Sequence, residues 1–192
     1  MDLLELSEKR RQAALRAIRA SGVEEVWKSV GAIVNTVGSV RSGLIMKNLD
    51  IDFHIYTDEP MLEKSFAAMA LLEKDPAIGN VQFRNLLDTG EECLEWHASY
   101  KDPEGAAWQL DMIHIRRGST FDGVIERTTD AVTARLTPET RQAILRIKHD
   151  APDGVKTPGI EVYYAVLSLG LRTYEEFAAW KQACPCIDLL GW

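Results

Sequence analysis

Residues 36–56, TVGSVRSGLIMKNLDIDFHIY, decide how the chain is read. A Gly38-Ser39 turn leads through a short spacer to Asp50 and Asp52, which bracket one isoleucine. Aspartate is a poor strand former and its charge resists burial, so a segment that only had to pack would not use it twice in three positions. The residues nonetheless alternate as a strand does. Asp50, Asp52 and His54 fall on one side of an extended chain, and Ile51, Phe53 and Ile55 on the other. The apolar set can enter a core while the carboxylates stand side by side. Like charges so placed raise each other's pKa unless a cation lies between them, and hard oxygen ligands suit magnesium.

Gly38 and Ser39 supply the complementary half. Glycine lets the backbone come close to a ligand, and backbone N–H groups with a serine hydroxyl can hold phosphate oxygens. A helix starting near Ser42 would add its dipole for the same anion. A phosphate clamp beside a paired-carboxylate magnesium site is chemistry for a nucleoside triphosphate. The spacer VRSGLIMKNL leaves the pocket either open or partly filled by Leu44, Ile45 and Met46.

Outward from this stretch, apolar residues among charges predict an amphipathic helix over 3–20, stopped at Gly22. A buried strand is expected over 30–37, a neighbour over 50–56 and a helix over 60–74. Strand-like runs follow at 77–87, 93–100 and 106–115. Lys101-Asp-Pro-Glu-Gly105 makes a hairpin of the last two, because proline fixes φ and glycine accepts a positive one. Past residue 120 the pattern turns helical, with helices expected at 138–149, 158–169 and 174–183. Thr137-Pro138 and Thr157-Pro158 each offer a capping hydroxyl before a first-turn proline, and Thr173 with Glu176 matches a capping box. The layout is α+β: a mixed sheet with flanking helices over 1–122, then a C-terminal helical region over 123–192.

The run GSVRSGLIMKNLDIDFHI resembles the signature of the DNA polymerase β-like nucleotidyltransferase superfamily, in particular its small bacterial type, which includes aminoglycoside and lincosamide nucleotidyltransferases and minimal nucleotidyltransferase antitoxins. Asp111, in the apolar run AAWQLDMIHI, matches the third acidic residue of that pattern. The resemblance covers residues 30–115. It implies a nucleotidyltransferase fold, with Asp50, Asp52 and Asp111 as catalytic metal ligands for Mg2+. It implies that Gly38 and Ser39 hold the β- and γ-phosphates, and that Asp111 helps deprotonate the acceptor hydroxyl. The implied reaction moves a nucleoside monophosphate from a triphosphate to a hydroxyl of a small molecule or protein, releasing pyrophosphate. An alternative is a catalytically impaired protein of the same fold, acting as a nucleotide-binding or antitoxin-like partner; a third is a structural oligomer subunit, and the oligomeric state is not specified.

Other residues carry weaker signals. Arg41 and Lys47 are candidate nucleotide contacts from the loop, although loop cations are commonly just solvated. His54 shares the carboxylate face, whereas His114, three residues from Asp111, faces the other way. Lys148 and His149 suit a helix C-terminus without any ligand. Glu91, Glu92, Glu95 and Glu104 could line an acidic acceptor cleft or simply face water; Tyr163, Tyr164 and Arg172 are acceptor-side candidates only by position. The net charge of −7 argues against a surface built on phosphate-backbone contacts, so long nucleic acid is not the expected partner. No apolar run approaches the roughly 20 residues of a membrane span, the opening residues lack an export signal, and three cysteines in odd number suit a reducing compartment. A cytoplasmic location without membrane partners is expected, and Cys184-Pro185-Cys186 lacks the further ligands a zinc site needs.

Overall fold

The alternation in residues 50–56 is realised as strand β2 (Asp50–Thr57) in the computed structural model of the protein, which describes residues 2–184. On one side β2 pairs antiparallel with β1 (Ile33–Thr36), and on the other it pairs parallel with β5 (Ala107–Arg116). Antiparallel β4 (Cys93–Lys101) and β3 (Ile78–Asn85) complete a mixed five-stranded sheet in the order β1-β2-β5-β4-β3. The hairpin read at residues 101–105 joins β4 to β5, with Gly105 at φ 89°.

One sheet face carries Ile51, Phe53 and Ile55 of β2 and Trp108, Leu110 and Met112 of β5, all fully or almost fully buried. They form a core with helices α1 (Leu3–Ser21), α2 (Val23–Ser29) and α4 (Leu62–Leu72). Helix α2 and the short β1 correct the expectation of a buried strand over 30–37. Gly22 turns left-handed at φ 67° and α2 starts at once; Trp27 O then accepts from the N–H of Val30 and of Ala32, which holds those residues in the helix end. The strand that remains is an edge, with Ile33 49% exposed.

The Gly-Ser turn opens a short helix, α3 (Gly38–Ser42), four residues earlier than the helix start expected near Ser42. Beyond β5 lie α5 (Val124–Ala134), which the sequence pattern did not reveal, α6 (Pro138–Asp150), α7 (Gly159–Leu167) and α8 (Tyr174–Ala183). Thr137 and Thr173 form the expected N-terminal caps, each reciprocated from its third helical residue. Thr157 does not: its hydroxyl bonds Val155 O and Pro158 is the residue before α7.

The spacer runs between the two ends of the chain. Leu44 and Met46 are buried in a second core with Ile144, Leu145, Val162 and Phe177, while Ile45 joins the sheet core. Its carbonyl oxygens are taken up by side chains. Ser7 Oγ bonds Ile45 O at 2.8 Å, Arg10 bonds Met46 O, and Arg11 Nε bonds Val40 O at 3.0 Å. From α6, Arg141 Nη1 donates to Gly43 O at 3.0 Å and Lys148 Nζ to Leu44 O at 2.6 Å. A loop without regular backbone pairing is thereby satisfied and fixed. Among the described residues no helix is long and apolar enough to cross a membrane. Cys184 is half-exposed with a free thiol; Cys186 lies outside the described residues.

Candidate active site

Parallel pairing of β2 with β5 sets Asp52 directly beside Asp111, with Asp50 two residues earlier on the same face. The antiparallel β5/β4 register places His97 beside Asp111. All four side chains line one cavity of about 740 Å³ on the sheet face opposite the main core. Gly38 and Ser39 border it from α3, Lys148 from α6, and Gly159, Glu161 and Tyr163 from α7. Gly38 sits at φ 63°, and a Cβ there would collide with the Asp52 carboxylate. Both facts demand glycine: the backbone conformation and the closeness of the turn to the carboxylate.

The electrostatics follow from crowding. Burial pushes Asp52 up to about 6, reinforced by Asp111 and Asp50 and opposed by His54 and Lys148. Asp50 is raised by burial and by Asp111, with Lys148 opposing. Burial lowers the Lys148 ammonium to about 8 against the pull of Asp52 and Asp50. For His97, burial disfavours the charge, but hydrogen bonds to Asp111 and Glu95 outweigh it and hold the pKa above the ordinary imidazole value.

The cavity thus gathers Asp50, Asp52, Asp111, Gly38 and Ser39 from the sequence reading and leaves two candidates outside its lining. Arg41 makes a two-pronged pair with Asp130, both bonds 2.8 Å, and Lys47 bonds Ala151 O at 2.7 Å and Asp153 at 3.0 Å. His54 lines the cavity but meets Tyr56 Oη at 3.1 Å and Glu126 at 3.4 Å. Burial would raise the Glu126 carboxyl, yet bonds from His54, Asn35 and Tyr56 hold it at about 2. His114 lies on the far face, fully buried against Trp27. Of the four glutamates considered for an acidic cleft, Glu95 alone lines the cavity; of Tyr163, Tyr164 and Arg172, Tyr163 alone does. The spacer does not plug it, since of Leu44, Ile45 and Met46 just Met46 reaches the wall.

Two contributors escaped the sequence reading. Lys148 looked like a cation closing a helix, and only the packing of α6 on the spacer brings it to the carboxylates. His97 is one of nine strand residues in β4, and its partnership with Asp111 exists only through register.

Among the described residues no three histidine, cysteine or acidic side chains stand close enough to hold a metal ion in their present conformers. The donor chemistry still fits magnesium: three carboxylates face one cavity, two of them with pKa values raised partly by mutual repulsion, which a hard cation relieves.

No family model and no curated relative matches the chain. Solved structures do. A Cid1 poly(U) polymerase structure with MgGTP bound aligns at TM-score 0.52 and 20% identity, covering 74% of this chain and 41% of the other. A cytoplasmic RNA terminal U-transferase aligns at 0.55 and 15%, covering 85% and 51%. The non-canonical poly(A) polymerase GLD-2, solved with GLD-3, aligns at 0.55 and 12%, covering 96% and 64%. The chain has the nucleotidyltransferase fold. At these identities the likeness is one of fold, and the chain spans about half the length of the structures it matches. Within the nucleotidyltransferase fold, the cavity described above lies on the sheet face that α1, α2 and α4 leave free. The partner expectation meets a contrary observation here: these neighbours are named for building or extending RNA tails, so an acidic net charge does not by itself set RNA aside.

Proposed function

We propose that the protein is a metal-dependent nucleotidyltransferase that moves a nucleoside monophosphate from a triphosphate to an acceptor hydroxyl with release of pyrophosphate. The observation that carries this is the convergence of Asp50, Asp52 and Asp111 on one cavity wall beside the Gly38-Ser39 turn. The three carboxylates would hold Mg2+, which when bound neutralises charge on the phosphates. The backbone of Gly38 and the hydroxyl of Ser39 would take the β- and γ-phosphate oxygens. Lys148, half-buried and within the field of both Asp50 and Asp52, supplies the cation that the sequence reading had sought in Arg41 and Lys47, which are engaged elsewhere. Asp111 would accept the acceptor's proton as its oxygen bonds to the α-phosphorus and the bond to pyrophosphate breaks. The chain's contribution is position and electrostatics.

The helical region over 123–192 adds Lys148 and Tyr163 to the wall, and we place the acceptor on that side of the 1–122 portion. A hydroxyl of a small molecule or a protein agrees with the small bacterial type, a likeness resting on the motif alone. A terminal RNA hydroxyl is the acceptor class added by the structural neighbours. A pocket plugged by the spacer would have favoured the impaired, antitoxin-like alternative; of Leu44, Ile45 and Met46 just Met46 lines the cavity, which supports the enzyme reading.

Isothermal titration of the four common nucleoside triphosphates, with and without Mg2+, tests the proposal on wild type and on Asp50→Ala/Asp52→Ala. Binding that needs Mg2+ and disappears in the double variant supports it and opens an acceptor screen by pyrophosphate release. Well-folded wild type that binds none of the four refutes it.

A further inference from the structure

A row of side chains crosses three strands and ends on the third aspartate. Arg84 of β3 is the cross-strand partner of Glu95 on β4, and its Nη1 bonds Glu95 Oε2 at 2.7 Å. Glu95 and His97 are two residues apart on one strand and so share a face. His97 Nε2 lies 3.0 Å from Glu95 Oε1, and its Nδ1 lies 2.5 Å from Asp111 Oδ1. Gln109 Nε2 donates to the same Oδ1 at 2.9 Å. Two donors therefore occupy one oxygen of Asp111, while Oδ2 has no bond of this kind among those described.

We propose that Arg84, Glu95 and His97 form a strut that fixes the rotation of the Asp111 carboxylate, so that Oδ1 is held by protein and Oδ2 alone is presented to the cavity. Asp111 then acts as a one-oxygen ligand in the metal site. His97 is a positioning residue: it acts through Asp111, and its ring is oriented from behind by a glutamate that Arg84 in turn anchors near the sheet edge. Such outer partners of a ligating carboxylate restrict its geometry before the cation arrives, and losing one typically weakens metal affinity about 10- to 100-fold. The strut rests on the nucleotidyltransferase reading above and deepens it, since it assigns Asp111 a denticity and names what enforces it.

Binding of Mn2+ alone to the full chain, followed by electron paramagnetic resonance, tests the strut with three substitutions at one position. The asparagine amide can take the place of Nδ1 and keep the Asp111 bond; the glutamine amide takes the place of Nε2 and keeps only the Glu95 bond. His97→Ala and His97→Gln should each weaken Mn2+ about tenfold, and His97→Asn should recover most of that loss. A role in packing alone would make the glutamine and asparagine variants equal. Asp111→Asn is the reference, and thermal unfolding verifies that each variant folds. If His97→Ala and His97→Gln bind Mn2+ as tightly as wild type while Asp111→Asn loses it, the strut is wrong and the metal site stands. If Asp111→Asn itself binds like wild type, the metal site is wrong, and the strut falls with it. The wild type gives a second readout by NMR: the His97 Nδ1–H proton should stay hydrogen-bonded on adding Mg2+, and its loss would overturn the strut whatever the variants do.

Discussion

His114 and Asp52, on opposite faces of the same sheet, should pull stability in opposite directions with pH. His114 is fully buried, with Nε2 2.7 Å from Thr57 Oγ1, its ring against Trp27 and no partner for Nδ1 among the described residues. Burial lowers its pKa from 6.5 to about 4. Between those values the unfolded chain binds a proton that the folded one refuses, so the histidine's contribution is present above 6.5 and is lost as pH falls. From pH 7 to pH 5 the loss is about 2 kcal/mol. Asp52 works the other way. With a folded pKa of about 6 against 3.8 unfolded, the native state takes up its proton first, which adds about 1 kcal/mol over the same range. The expected wild-type profile is therefore flattened by cancellation, and the single variants should expose the two halves. Urea unfolding at pH 7, 6 and 5 without divalent cations measures this. The stability difference between wild type and His114→Gln should fall by about 2 kcal/mol from pH 7 to 5, and that between wild type and Asp52→Asn should rise by about 1 kcal/mol. Profiles of wild type and His114→Gln that run parallel over this range would refute the burial argument for His114.

Gly38→Ala should destabilise the fold by about 1–2 kcal/mol through its left-handed backbone alone. Because the added methyl also displaces the Asp52 carboxylate, pyrophosphate release should drop more than thermal stability does. Lys148→Met should raise KM for the triphosphate about tenfold, the size expected for losing one charge-assisted contact of about 1.4 kcal/mol, with steady-state kinetics as the check. Arg41→Ala removes an exposed ion pair with Asp130, so both unfolding free energy and triphosphate affinity should change by less than about 1 kcal/mol.

The parts of this structure that were readable in the sequence are those fixed by local spacing. Asp50 and Asp52 alternate with Ile51 and Phe53, so one strand and its two faces follow from period two; Pro103 and Gly105 mark the β4/β5 turn; Thr137 and Thr173 mark helix starts. Asp111 came from the family pattern, and the register then set it against Asp52. What stayed hidden depends on distant residues meeting. Val30 looks like a strand residue but ends α2, because Trp27 O claims its N–H. Arg41 and Lys47 looked free but have partners 89 and 106 residues away. Lys148 and His97 carry no local mark of their place beside the carboxylates, and in both cases the deciding neighbour is contributed by another element.

The clamped spacer also bears on the order in which the molecule is completed. A ribosome delivers Ser7, Arg10 and the spacer early, when, among the described residues, the carbonyl of Gly43 has only Ser7 as a donor and that of Leu44 has none. Arg141 and Lys148 emerge about a hundred residues later. Until then the sheet can form, with both aspartates of β2 in place, while the side of the cavity that α6 and α7 line has no wall. The nascent chain thus passes through a stage in which it has its carboxylates but neither Lys148 nor the finished spacer clamp, and completion of the cavity wall waits for the synthesis of α6.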